Sequence, residues 1–206
     1  PISIVDSDVS NINNSVISSP LVVTPENVAG VKWRGAMVYI NDLEGKITKI
    51  NLTNSTKNGA SLYEQTTLFK LNSSTDNSRY SYFSLDASLG RDSKEFWLYG
   101  GTGNFQRVNS VEGDSDNILY GIKDRDFPYF KSSIPIPRED VSGWKPIAVQ
   151  NINAAHDVDD PSICIDTTSD ATGELCPVAS DDGWVVHLDE LANNKHRKLT
   201  GSPRVF

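Results

Sequence analysis

Short, aromatic-rich strand runs parted by turn residues recur along this chain, and they restrict its fold more than any other feature. Met37-Val38-Tyr39-Ile40 is a run of strand formers. Asn41-Asp42-Leu43-Glu44-Gly45 follows with turn chemistry, Gly45 supplying a positive φ at little steric cost. Lys46 to Leu52 then alternates polar with apolar residues but for the Thr48-Lys49 pair, which predicts a β-hairpin with one buried face. Glu95-Phe96-Trp97-Leu98-Tyr99 predicts a second strand, broken by Gly100-Gly101-Thr102-Gly103. A polar loop from Asn109 to Asn117 leads to a return strand, Ile118 to Asp124. A third unit opens with a turn at Asp181-Asp182-Gly183 and runs into Trp184-Val185-Val186-His187-Leu188. Arg197-Lys198-Leu199 and Pro203-Arg204-Val205 predict further short strands. Phe127 to Pro137 reads as an extended connection punctuated by proline. No long segment has helical periodicity, and the one candidate helical turn lies near Leu188 to Ala192.

A strand, a glycine turn and a return strand, repeated at irregular intervals with long polar insertions, is how an all-β β-propeller with irregular blades looks in sequence. A blade takes ~40–50 residues, so the chain holds about four at most. With 206 residues, the expectation is one β-propeller region over residues 1–206, an incomplete section of a larger propeller.

The net charge of −8 repels phosphate backbones, and nucleic acid is a poor partner for such a surface. Lys195-His196-Arg197-Lys198 is the nearest thing to a basic patch, but it is short and has no interleaved aromatics. No apolar run approaches the ~18–20 residues of a membrane span. The two cysteines, Cys164 and Cys176, flank a polar loop. A disulfide there would stabilise an exported protein by up to about 3 kcal/mol, and two free thiols are the alternative. A metal site would need more Cys or His nearby, and a redox pair would need CxxC.

Calcium requires several oxygen ligands on a tight loop. Glu112-Gly113-Asp114-Ser115-Asp116-Asn117 is the best candidate, with Asp114, Asp116 and Asn117 as ligands. Asp6-Ser7-Asp8 and Asp157-Val158-Asp159-Asp160 are weaker. For each of these, a solvated acidic loop is the competing reading. Catalytic constellations are thin. His156, His187 and His196 have no second His at ligand spacing, and His187 sits in a strand pattern that suits a partly buried structural role. No GxSxG, HExxH or P-loop occurs, and Asp181-Asp182 reads as a turn rather than a glycosidase pair. Trp97 and Trp184 read as blade-core packing, and Trp33 and Trp144 are less clear.

Taken in order, these units resemble the C-terminal β-propeller of the PilC/PilY family of type IV pilus tip-associated adhesins. Val38 to Ile47 is similar to the family's "V-Y-x-G-D-L-x-G-x-L", with Asn41 where the family usually has Gly. Trp97 to Phe105 resembles "W-V-x-F-G-T-G-R-Y", Asn117 to Asp124 resembles "Q-S-x-Y-G-I-x-D", and Gly183 to Leu188 resembles "G-W-Y-x-D-L". The likeness spans most of residues 33–205. It implies a non-enzymatic protein of a bacterial surface or pilus tip, extracellular and outer-membrane associated, acting in pilus assembly, adhesion and twitching motility. The implied partners are pilin or minor pilin subunits, a host or surface receptor, and the remaining blades of its own propeller. The family's calcium loop has no counterpart at residues 24–35, which hold one carboxylate and two cations. Two other functions remain open: a periplasmic quinoprotein-type propeller enzyme, for which these repeats are irregular, and a purely structural interaction domain of a larger surface protein.

Overall fold

Met37–Asn41 (β2) and Ile47–Asn51 (β3) pair antiparallel about the Asp42–Lys46 turn. Gly45 adopts a φ of 76°, as the turn requires. The main chain of Gly45 donates to the Asp42 carbonyl, and the Asp42 side chain accepts from the Lys46 N–H at 2.9 Å. The computed structural model of the chain describes residues 15–24, 35–53, 61–71, 79–90, 95–107, 117–130, 149–151, 183–188 and 198–205.

Leu21–Val23 (β1) and Gln65–Phe69 (β4) flank this hairpin, giving an antiparallel four-stranded sheet in the order β1-β2-β3-β4. The second sheet has five strands. They are Asp86–Leu89 (β5), Phe96–Gly101 (β6), Ile118–Asp124 (β7), Val149–Asn151 (β8) and Gly183–His187 (β9). Their order is β5-β6-β7-β9-β8, antiparallel except for β8 against β9. The fold is therefore all-β. Among the described residues both sheets are open, and the only helical element is a 3-10 turn at Phe105–Arg107. No helix among them is long and apolar enough to cross a membrane.

The sheets share one core. Met37, Tyr39, Ile47, Leu68 and Phe69 of the first meet Phe96, Leu98, Ile118, Tyr120 and Ile122 of the second. Tyr39 stacks on Phe96 at 5.5 Å, and Phe96 stacks on Phe127 at 4.2 Å. Phe69 meets Tyr120 at 5.4 Å. Rings this large dominate a core of this size.

Several expectations change. The hairpin is buried on both faces, not one. Ile47 and Ile50 are three residues apart and so lie on opposite faces of β3, where both are buried. The glycines after Tyr99 do not break β6, which runs through Gly100 and Gly101. The core side chain of Tyr120, the cross-strand neighbour of Gly100, fills the space where a Cβ on Gly100 would sit. Residues 198–205 are irregular rather than strands. Phe127 and Phe130 belong to a turn that drops both rings into the core. The reading of residues 131–137 and of the helical turn beyond Leu188 falls outside the described residues.

Candidate functional site

Lys49 lies on the core side of β3, with its side chain 1% exposed. Its ammonium is 2.6 Å from Asp124 Oδ2 at the end of β7. It also donates to the Tyr129 carbonyl at 2.7 Å and sits 5.6 Å from the centre of the Phe130 ring. The Tyr39 hydroxyl donates to the same Asp124 oxygen at 2.7 Å, and the Asp126 N–H donates to Oδ1 at 3.1 Å. Two charges out of water cost several kcal/mol each unless geometry and extra hydrogen bonds offset the loss. Here each charge has such partners, drawn from both sheets and from the turn after β7.

A second polar cluster lies at the β2–β3 turn. The Asn41 Oδ1 accepts from the Ser18 hydroxyl at 2.8 Å, and its Nδ2 donates to Ser81 Oγ and the Phe83 carbonyl, both at 3.0 Å. This carboxamide thus ties residues 18 and 81–83 to β2, a link that a glycine could not make. Lys46 Nζ approaches Asp42 Oδ2 at 3.7 Å. Burial pushes the Tyr120 phenol above its ordinary pKa; the Ser81 hydroxyl opposes the shift and the Asp42 charge adds to it.

The second face of the five-stranded sheet is aromatic. Phe96 and Leu98 take the core side of β6, so Trp97 and Tyr99 project the other way. They stack at 6.4 Å, and Tyr99 meets Trp184 at 6.2 Å. The Trp184 indole lies over Gly121, where a Cβ would come within 2.5 Å of it. Lys123 sits 5.0 Å from the Trp97 ring centre and pairs with Glu95 at 3.0 Å. Trp97 and Trp184 were expected in the blade core; they are half-buried on this opposite face instead. Residues 198–205 run along the same face. Lys198 and Leu199 pass so close to Gly101 and Gly103 that side chains there would collide with them. The Leu199 N–H donates to the Thr102 carbonyl at 3.1 Å, and the Val205 N–H to Asp86 Oδ2 at 2.7 Å.

Of the candidate calcium ligands, Asn117 is described. It is buried, and its Oδ1 accepts from the Thr102 hydroxyl at 3.3 Å. That hydroxyl accepts in turn from the Ile118 N–H at 3.0 Å, and the Asn117 carbonyl accepts from Leu188 at 2.8 Å. These bonds lock the start of β7 to β6 and to the end of β9. Asp114 and Asp116 lie outside the described residues, as do Cys164 and Cys176, Asp6, Asp8, Asp157, Asp159, Asp160, His156, His196, Trp33 and Trp144. His187 ends β9 opposite Ile118. Among the described residues no group of three or more His, Cys, Asp or Glu could hold a metal ion.

Sequence reasoning missed the Lys49–Asp124–Tyr39 cluster. Asp124 closes the Tyr-Gly-Ile-Lys-Asp segment, and a carboxylate ending an apolar strand was the available signal. In the first cluster Tyr39 and Lys49 are fully buried, whereas the second reaches half-buried residues at Ser18 and Phe83. Comparison with models of protein families, with curated proteins and with solved structures found no match.

Proposed function

We propose that this chain is a section of a non-enzymatic β-propeller at a bacterial surface or pilus tip, acting in type IV pilus assembly, adhesion and twitching motility. One observation carries the reading. The four segments that resemble the PilC/PilY propeller fall, in order, on β2–β3, β6, β7 and β9, as successive antiparallel strands of open sheets. Two such sheets face to face around a shared core are what neighbouring blades require. In this reading the buried clusters hold the blades, and the loops and second faces meet pilin or minor pilin subunits, a surface receptor, and the remaining blades.

Deletion of the encoding gene in the bacterium that carries it is expected to reduce surface pili and abolish twitching zones, with recovery on complementation. Purified chain is expected to retain pilin subunits in a pull-down. Normal piliation and twitching in the deletion strain would sink the reading. Calcium at Asp114, Asp116 and Asn117 belongs to the same proposal. Extracellular modules bind calcium at roughly 10⁻⁴–10⁻³ M. A rise in Tm at that concentration, lost in Asp114→Asn with Asp116→Asn, is the expected outcome, and no shift disposes of the site.

A further inference from the structure

We propose that Lys49 and Asp124 are joined by an isopeptide bond in the folded protein, a covalent cross-link between the two sheets. The inference rests on the geometry of the buried cluster and not on the pilus reading. Lys49 Nζ is 2.6 Å from Asp124 Oδ2, with both side chains at most 1% exposed. The electrophilic carbon, Cγ, is one bond further on. Held this way, amine and carboxyl meet at an effective concentration on the order of 10⁵–10⁸ M.

The cluster also supplies the groups that the condensation needs. One proton passes from the ammonium to the carboxylate along the short contact, leaving an amine beside a carboxylic acid. The Tyr129 carbonyl, bonded to Nζ at 2.7 Å, keeps the nitrogen aimed. The nitrogen lone pair attacks Cγ and a C–N bond forms. Negative charge gathers on Oδ1, where the Asp126 N–H already donates at 3.1 Å. The Tyr39 hydroxyl, 2.7 Å from Oδ2, passes its proton to that oxygen as the Cγ–Oδ2 bond breaks, and regains one from the nitrogen. Water leaves and a neutral amide remains. Ammonium plus carboxylate equals amide plus water, so no oxidant, cofactor or external reagent takes part. The dry surroundings favour the products, because two buried charges disappear and the water goes to bulk. The aromatic wall of Phe96, Phe127 and Phe130 keeps solvent from reversing the step.

The test is the intact mass of the full chain, purified as folded protein and then reduced and denatured. A mass lower than that of the sequence by one water is expected. Trypsin then fails to cut after Lys49 and yields a branched peptide joining the Lys49 and Asp124 segments. Lys49→Arg is expected to show the full mass. Asp124→Asn is expected to lose ammonia rather than water, since the same bond forms with a different leaving group. A wild-type mass equal to that of the sequence overturns the proposal and leaves the pair an ion pair. A water loss that persists in Lys49→Arg, or that maps to a single unbranched peptide, also overturns it. The wild-type measurements decide the matter even where a variant fails to fold.

Discussion

At the scale of single residues, the interior is governed by a few polar side chains that have no exit to water. Lys49 is the plainest case. Replacing it with Met leaves the Asp124 carboxylate buried with neither a cation nor a cross-link, and an uncompensated buried charge costs about 3–5 kcal/mol. Urea unfolding of Lys49→Met, read by tryptophan fluorescence, is expected to show a loss of that size. Tyr120 gives a pH signature. Its phenol is held above the ordinary value of 10.0 in the folded protein. As pH rises through that value the unfolded chain loses the proton first and the folded chain keeps it. Stability therefore falls on the alkaline side, by about 1.4 kcal/mol per pH unit for this one group. Tyr120→Phe is expected to remove that part of the slope when unfolding is compared between about pH 9 and pH 11. An unchanged slope would show that the phenol titrates normally.

At the scale of elements, glycines decide how strands meet. Gly121 is central in β7, between Tyr99 on β6 and Trp184 on β9. Gly121→Ala would drive a methyl into the Trp184 indole, and overpacking of this kind costs about 1–3 kcal/mol. The expected readout is a lower urea midpoint with an altered near-UV signal from the tryptophans. Asn51 plays a comparable part for the β3–β4 connection. Its buried carboxamide donates to the Thr53 and Ser61 carbonyls at 3.0 and 2.7 Å and accepts from the Thr53 N–H at 3.0 Å. Asn51→Ala leaves these groups without that partner, at about 1–3 kcal/mol, and is expected to speed proteolytic cleavage between β3 and β4. The strands that sequence made legible are those dense in β-branched and aromatic residues: β2, β3, β6, β7 and β9. The others carry weak local signals. Asp-Ala-Ser-Leu in β5 becomes a strand because the edge of β6 receives it, a tertiary effect that overrides local preference. Lys49 carries no local mark of burial, because a charge in a strand with one buried face usually takes the other face. Its partner lies on another sheet, and so does that of Tyr39, 85 residues along the chain from Asp124. No local pattern records a contact of that range. The glycines at 101 and 103 read as strand breakers, whereas β6 runs through Gly101 and both glycines make room for Lys198 and Leu199, which lie far along the sequence.

At the scale of the whole molecule, both sheets carry apolar residues on the faces turned away from the shared core. On the first sheet Val38 and Ile50 are buried there, and on the second lie Trp97, Tyr99 and Trp184. A sheet apolar on both faces is built to be covered on both by further layers of structure. The cysteines test the exported reading at this scale. Thiol titration of the denatured, unreduced chain is expected to find no free thiol, and two free thiols would remove the disulfide.

The hydrogen bond from Val205 to Asp86 spans 119 residues. A ribosome must finish nearly the whole of this sequence before that strap can be laid down. Until then β5 and β6 can form, but the aromatic face they carry has neither Trp184 beside it nor residues 198–205 along it. At ~5–20 residues per second, that surface stays uncovered for many seconds of synthesis. A chain built this way carries a half-made sheet through much of its synthesis, and that interval, more than the finished fold, is where aggregation competes with folding.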